Sequence, residues 1–228
     1  MAAPAAKPLC ETEFQALRRS IVEEDDAREQ LIKRSRDVLK CSKQAIYALQ
    51  RGDTARAEDL IAQGKRGATE LIVVTVTLPH LRYGALSSAL EEWAEAAIFA
   101  VFLRERRIPT MAELEIVNRE EYLGGVMDFC GEVNRFAVLA ATRRDAAAVN
   151  AAREAVDRLL AQLMLFDFKN GNLRRKYGAL RGRIPMRALP PPPLISPFPP
   201  PPCFADGVKY TLNKLEQVCY DLSLSSGG

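Results

Sequence analysis

Long amphipathic stretches separated by short breaks make up most of this chain. Between Pro8 and Gly52 there is no glycine or proline, and Phe14, Leu17, Ile21, Leu31, Val38, Ala45 and Leu49 recur close to helical spacing. That pattern predicts one long helix or two collinear ones. Asp53 is placed to cap a second helix beginning TARAEDLIAQ, although Gly64 and Gly67 weaken its continuation. The run LIVVTVTL at 71–78 is β-branched and strand-like in isolation, but no second strand-like run exists to pair with it, so the reading is helix. Three further helices are expected: Gly84 to about Arg107, a short one with Thr110 and Glu113 as a capping box, and roughly Glu120 to Arg144. Val149, Ala152, Val156, Leu159, Leu160, Leu163 and Phe166 then form one stripe, closed by Asn170-Gly171, and Asn172 is placed to cap NLRRKYGAL.

The sum is an all-α fold in a single domain. Composition changes abruptly at PPPPLISPFPPPP, 190–202, because proline cannot continue a helix and favours extended polyproline II. The expected organisation is a flexible N-terminus at 1–12, a helical domain at 13–180, a proline-rich insertion or linker at 181–207, a C-terminal helix of the same domain at 208–224 and a flexible tail at 225–228.

Composition narrows the function less than the pattern does. The 228 residues are 48% hydrophobic, enough for one well-buried core, and 32 Lys and Arg against 29 Asp and Glu leave a net charge of +3 that neither demands nor excludes an anionic partner. Cys10, Cys41, Cys130, Cys203 and Cys219 form no C-x-x-C pair, and His80 is the single histidine, so a zinc site has no ligand set and a reducing compartment is expected. The longest uninterrupted apolar stretch, Ala96 to Leu103, is far too short to span a bilayer. The expectation is a soluble intracellular protein, cytoplasmic and/or nuclear, with no membrane partner.

Candidate chemistry lies in two unusually apolar helices. Glu92 and Glu95, three positions apart, project from one helical face, whereas Glu91 points about 100° away from Glu92. Asp128 and Glu132, four apart in LGGVMDFCGEVNRFAVLAA, repeat the pattern. If the two helices pack antiparallel or at a crossing angle with these faces opposed, four carboxylates meet where mutual repulsion must be neutralised. An all-oxygen set without His or Cys suits Mg²⁺, or Mn²⁺, and the matching chemistry is phosphodiester hydrolysis. The competing reading is ordinary solvated or Arg-paired glutamates, with Arg82 and Arg135 as candidate partners.

At these residues the sequence resembles the translin/TRAX family, and its TRAX branch more than translin. The resemblance is carried by Leu90-Glu91-Glu92-Trp93-Ala94-Glu95-Ala96, by Tyr122-Leu123 through Gly125-Val126, Asp128 and Gly131-Glu132, and by KRSRDVLKCSKQAIYALQR, NLRRKYGAL and KLEQVCYDLS. It implies a translin-like antiparallel bundle of about seven helices, in which Glu92, Glu95, Asp128 and Glu132 are metal ligands and catalytic residues. It further implies a Mg²⁺-dependent endoribonuclease subunit that cleaves single-stranded RNA, involved in small-RNA or tRNA processing, within a hetero-octamer with a translin-like subunit. A homo-oligomer and single-stranded DNA are the alternative partners. The alternative function is a non-catalytic, translin-like subunit that binds single-stranded nucleic acid or acts as a scaffold. The tract at 181–207 departs from the family pattern, either as a surface loop or as non-native translated material.

Other conspicuous residues have plainer readings. Trp93 is assigned to core packing, Cys130 to packing as a small apolar residue, and His80 to a turn. The clusters Arg143-Arg144, Arg174-Arg175-Lys176 and Arg181/Arg183 are assigned to solvated helix ends. The apolar excess of residues 84–103 is expected to meet another subunit or a crowded core, and the family resemblance makes another subunit the better reading.

Overall fold

A computed structural model describes residues 10–183, and the described residues contain seven α-helices and no strand. Residues 1–9 and 184–228 lie outside them, and with these most of the expected N-terminus at 1–12, most of the proline-rich segment at 181–207, and the whole of the expected C-terminal helix and tail. Helix α1, Glu11–Gln50, is a single uninterrupted rod, as the absence of glycine and proline allows. Helix α2, Thr54–Thr77, begins where the Asp53 carboxylate accepts from Arg56 N at 3.3 Å. It runs through both glycines because Gly64 lies against Trp93, where an added Cβ would come within 3.0 Å of the indole Cδ1. The β-branched run is helical because Leu71 and Thr75, four apart, are buried, while Val73 and Val76 face outward.

A 3-10 turn, Pro79–Arg82, leads into α3, Ala85–Glu105. The short helix α4, Met111–Leu114, carries the expected Thr110–Glu113 capping box. Helix α5, Arg119–Thr142, has a second box that the sequence reading did not register, between Asn118 and Glu121. Helix α6, Ala146–Leu163, stops short of Phe166, and α7, Asn172–Arg183, starts after Gly171, whose φ of +97° suits glycine.

Contacts fix the directions. Arg34 pairs with Glu70 while Glu24 meets His80, so α1 and α2 are antiparallel. Trp93 donates to Ile61 O at 3.0 Å and Arg104 reaches Glu58 at 3.4 Å, so α2 and α3 are antiparallel as well. Helices α3 and α5 instead run in the same general direction. Ala94 faces Gly125, and further along both helices Phe102 meets Phe129 at 5.4 Å and Arg106 lies over Phe136 at 5.5 Å.

Helix α3 is the centre of the core, with Leu86, Leu90, Ala94, Ala96, Ile98, Phe99 and Phe102 all at 0% exposure. Its apolar excess is therefore absorbed by α1, α2 and α5, the crowded-core alternative, and requires no second subunit. Large exposed apolar side chains occur elsewhere, among them Phe14, Ile21, Val73 and Val76 on α1 and α2. No described helix is long and apolar enough to cross a membrane.

Candidate functional site

Two adjacent glycines set the spacing between α3 and α5. At Gly125 an added Cβ would lie 2.8 Å from Ala94 Cβ and 3.0 Å from both Glu91 O and Glu95 N, so the helices touch nearly backbone to backbone. Gly124 leaves room for the Glu91 carboxylate in the same way. Asp128 follows one turn later on α5, and is thereby brought opposite the acids of α3. Close approach, and not the acids themselves, creates the cluster.

Glu95 feels the charge of each of the other three carboxylates named by the sequence. Glu95 is 7% exposed, and its carboxyl is pushed up to about 9, first by burial and then by the charges of Asp128, Glu92 and Glu132, with Arg135 opposing. The side chains of Glu132, Glu92 and Asp128 are 12%, 29% and 33% exposed, so the group grades from buried Glu95 toward solvent. At neutral pH Glu95 is a neutral acid surrounded by three further carboxyl groups.

Several neighbours that the sequence reading missed complete the site. Lys176 of α7 pairs with both Glu91 and Asp128, and burial draws its ammonium down to about 8 although two carboxylates beside it favour the charged form. This corrects its assignment to a solvated helix end: α7 packs across α5, and residue 176 falls on the inner side. Glu91, turned away from Glu92 as expected, is half of that clamp. Gln50 at the end of α1 donates to Glu132 Oε2 at 2.9 Å and to Glu132 O at 3.0 Å, leaving its own Oε1 buried and without a hydrogen-bond partner. Arg135 reaches Glu132 at 3.0 Å and Lys43 approaches Glu92 at 3.9 Å. Five carboxyl groups, four of them ionised at neutral pH, thus lie among three cations. Neither Lys176 nor Gln50 carries a periodicity that could have revealed it, because each arrives from a helix remote in sequence.

Arg82, a candidate partner for the acids, belongs elsewhere. The 3-10 turn delivers it to the start of α5, where Nη2 and Nε donate to Glu121 at 2.7 and 3.2 Å and Nη2 also meets Ile116 O at 3.1 Å. Glu121 is 0% exposed, so this is a buried structural pair. Trp93 is a core residue as expected, 2% exposed. Cys130 is likewise buried, its thiol pushed up to about 12 mainly by that burial. His80 lies in the 3-10 turn with Nε2 2.8 Å from Glu24.

The donor chemistry of the quartet suits a hard cation: oxygen only, anionic in excess, with one member held neutral by burial and then by its neighbours. As the side chains stand, no three of the described His, Cys, Asp or Glu residues are placed to hold a metal ion. Lys176 holds Asp128, and Arg135 and Gln50 hold Glu132.

The model of the translin family matches residues 26–184, which span α1 to α7. The chain belongs to the translin family. This translin-family chain is 27% identical over 165 residues to the uncharacterized protein MJ0175 of Methanocaldococcus jannaschii, covering 71% of the chain and 73% of the relative. Its fold is that of two solved structures. The crystal structure of apo-NeC3PO superposes with a TM-score of 0.73 at 21% identity, covering 95% of this chain and 100% of that one. The structure of AfC3PO in complex with duplex RNA superposes with a TM-score of 0.70 at 17% identity, covering 93% and 97%. The translin-like, all-α bundle expected from the sequence is thus the fold this chain adopts.

Proposed function

We propose that this translin-family chain is a TRAX-like, Mg²⁺-dependent endoribonuclease subunit acting on single-stranded RNA, with Glu92, Glu95, Asp128 and Glu132 as ligands of the ion. The observation that carries the reading is the buried Glu95 carboxyl, raised by burial and by three carboxylates around it. A structural acid in a core is ordinarily matched by a cation, as Glu121 is by Arg82. Glu95 faces an excess of its own charge, the arrangement expected of a site that acquires its counter-charge from solution.

Mg²⁺, or Mn²⁺, bound there supplies charge neutralisation and Lewis acidity at a phosphodiester. The remaining work falls to the chain. Glu95, once ionised, and Asp128 provide ligand oxygens from facing helices. Gln50 orients Glu132 through its hydrogen bond. Lys176, released from Asp128, is a candidate for contacting phosphate.

RNA as ligand is supported by the duplex RNA in the AfC3PO complex. Assembly with a translin-like subunit, as a hetero-octamer or in a homo-oligomer, is supported by the apolar side chains left exposed on α1 and α2. The second reading, a non-catalytic nucleic-acid-binding or scaffold subunit, is favoured by one observation, the Lys176 clamp on Asp128. Cleavage of labelled single-stranded RNA separates the two, assayed in Mg²⁺ and in chelator, with and without a translin-like partner. Mg²⁺-dependent cleavage that disappears in Asp128→Asn, with RNA affinity retained, is the expected result. Cleavage indifferent to both chelator and Asp128→Asn overturns it.

A further inference from the structure

We propose that the cleft formed by the α6–α7 linker and the first turn of α7 is a binding site for single-stranded RNA, holding phosphates on Lys169, Arg174 and Arg175 and a base on the adjacent Phe166. The inference rests on the reading above only for the identity of the ligand. The linker that follows α6 and the first turn of α7 form an open cleft of 710 Å³ lined by Asp167, Lys169, Asn170, Gly171, Arg174 and Arg175. Three of the six are cationic and one is anionic. The Lys169 ammonium lies 3.7 Å from the Asp167 carboxylate, and Arg174 Nη1 donates to Phe168 O at 2.9 Å. Neither arginine pairs with a carboxylate among the described residues.

Beside these cations stands an aromatic stack. The rings of Phe166 and Phe168 are parallel within 3° at 5.3 Å, and Phe168 is backed in turn by Tyr177 at 5.4 Å. Phe166 is the outer ring of this stack and is 47% exposed, so part of its surface is available to a further planar group. Cations beside an open aromatic face match the two repeating features of a single strand, its phosphates and its unstacked bases. A duplex, whose bases are already stacked, has no use for the ring.

Position makes the site more than a basic patch. Arg174 and Arg175 precede Lys176, which enters the acidic cluster, so the cleft and the acids occupy two sides of one turn of α7.

The test is fluorescence anisotropy of the full chain with a labelled uridine-rich single-stranded oligonucleotide, in chelator so that nothing is cleaved, across a salt series. Lys169→Ala/Arg175→Ala, which spares the Arg174 contact with Phe168, is expected to weaken binding about tenfold or more and to reduce the log–log salt slope by about 1.4. Phe166→Ala is expected to weaken binding by roughly five- to a hundredfold with the salt slope unchanged. Because the two variants fail in different ways, either one that keeps its helical circular dichroism suffices. Affinity and slope unchanged in a folded variant overturn the cleft while leaving the nuclease reading intact. No binding by the wild-type chain, either alone or with a translin-like partner, overturns both.

Discussion

Replacing Glu95 by Gln should stabilise the protein, and by an amount that grows with pH. The carboxyl stands at about 9 in the folded chain against 4.5 in its unperturbed form. Below the lower value both states hold the proton and the group contributes no pH dependence. Between the two, the unfolded chain has released a proton that the folded chain retains, so folded stability falls by about 1.4 kcal/mol per pH unit until the folded carboxyl itself ionises. From pH 6 to pH 8 the wild type therefore loses on the order of 3 kcal/mol relative to Glu95→Gln, whose amide does not titrate. Denaturant unfolding in chelator at pH 6, 7 and 8 reads this directly as a widening gap between midpoints. A divalent cation should close the gap, because it favours the ionised carboxylate that the other acids oppose. Parallel wild-type and variant curves across the three pH values would show that Glu95 is not held neutral by burial and its neighbours. A variant less stable throughout would show that the carboxyl makes a structural contact an amide cannot replace.

Three further perturbations separate the roles of neighbouring residues. Lys176→Gln should raise Mn²⁺ affinity several-fold, measured by calorimetric titration without RNA, because the ammonium that competes for Asp128 is gone; equal or weaker binding would make Lys176 a supporting residue instead. Gly125→Ala should cost roughly 1–3 kcal/mol in thermal unfolding and reduce metal affinity as well, since the methyl must push apart the helix backbones that bring Asp128 to Glu95; a neutral effect on both would mean that the contact is not tight. Arg82→Met should cost about 3–5 kcal/mol while leaving metal binding to the folded protein unchanged, because it strands the fully buried Glu121 outside the acidic cluster; loss of metal affinity in folded protein would tie this pair to the site.

Much of the fold was legible along the chain because its signals are local. Helical periodicity, the caps at Asp53 and Thr110, and the break at Gly171 each depend on a few consecutive residues, and each is found where the sequence places it. The strand-like run at 71–78 was resolved by elimination, and burial of Leu71 and Thr75 shows why the elimination was sound. Glu92, Glu95, Asp128 and Glu132 were conspicuous for a related reason: acids spaced by a helical turn in apolar helices contradict their surroundings, and such contradictions are visible in one dimension.

Tertiary structure decided which contradictions matter to one another. The spacing of α3 and α5 depends on what a Cβ at Gly125 would meet, a question that no property of Gly125 alone can answer. Lys176 looks like any basic residue near a helix end until α7 crosses α5, and Arg82 looks like a partner for the quartet until the 3-10 turn carries it to Glu121. The apolar surplus of α3 shows the same division, since the sequence set its amount but packing set what covers it. Periodicity fixes which face of its own helix a side chain occupies. The identity of the facing residue depends on crossing geometry and closest approach, which are set by side chains distant in sequence and exist only once the helices have packed.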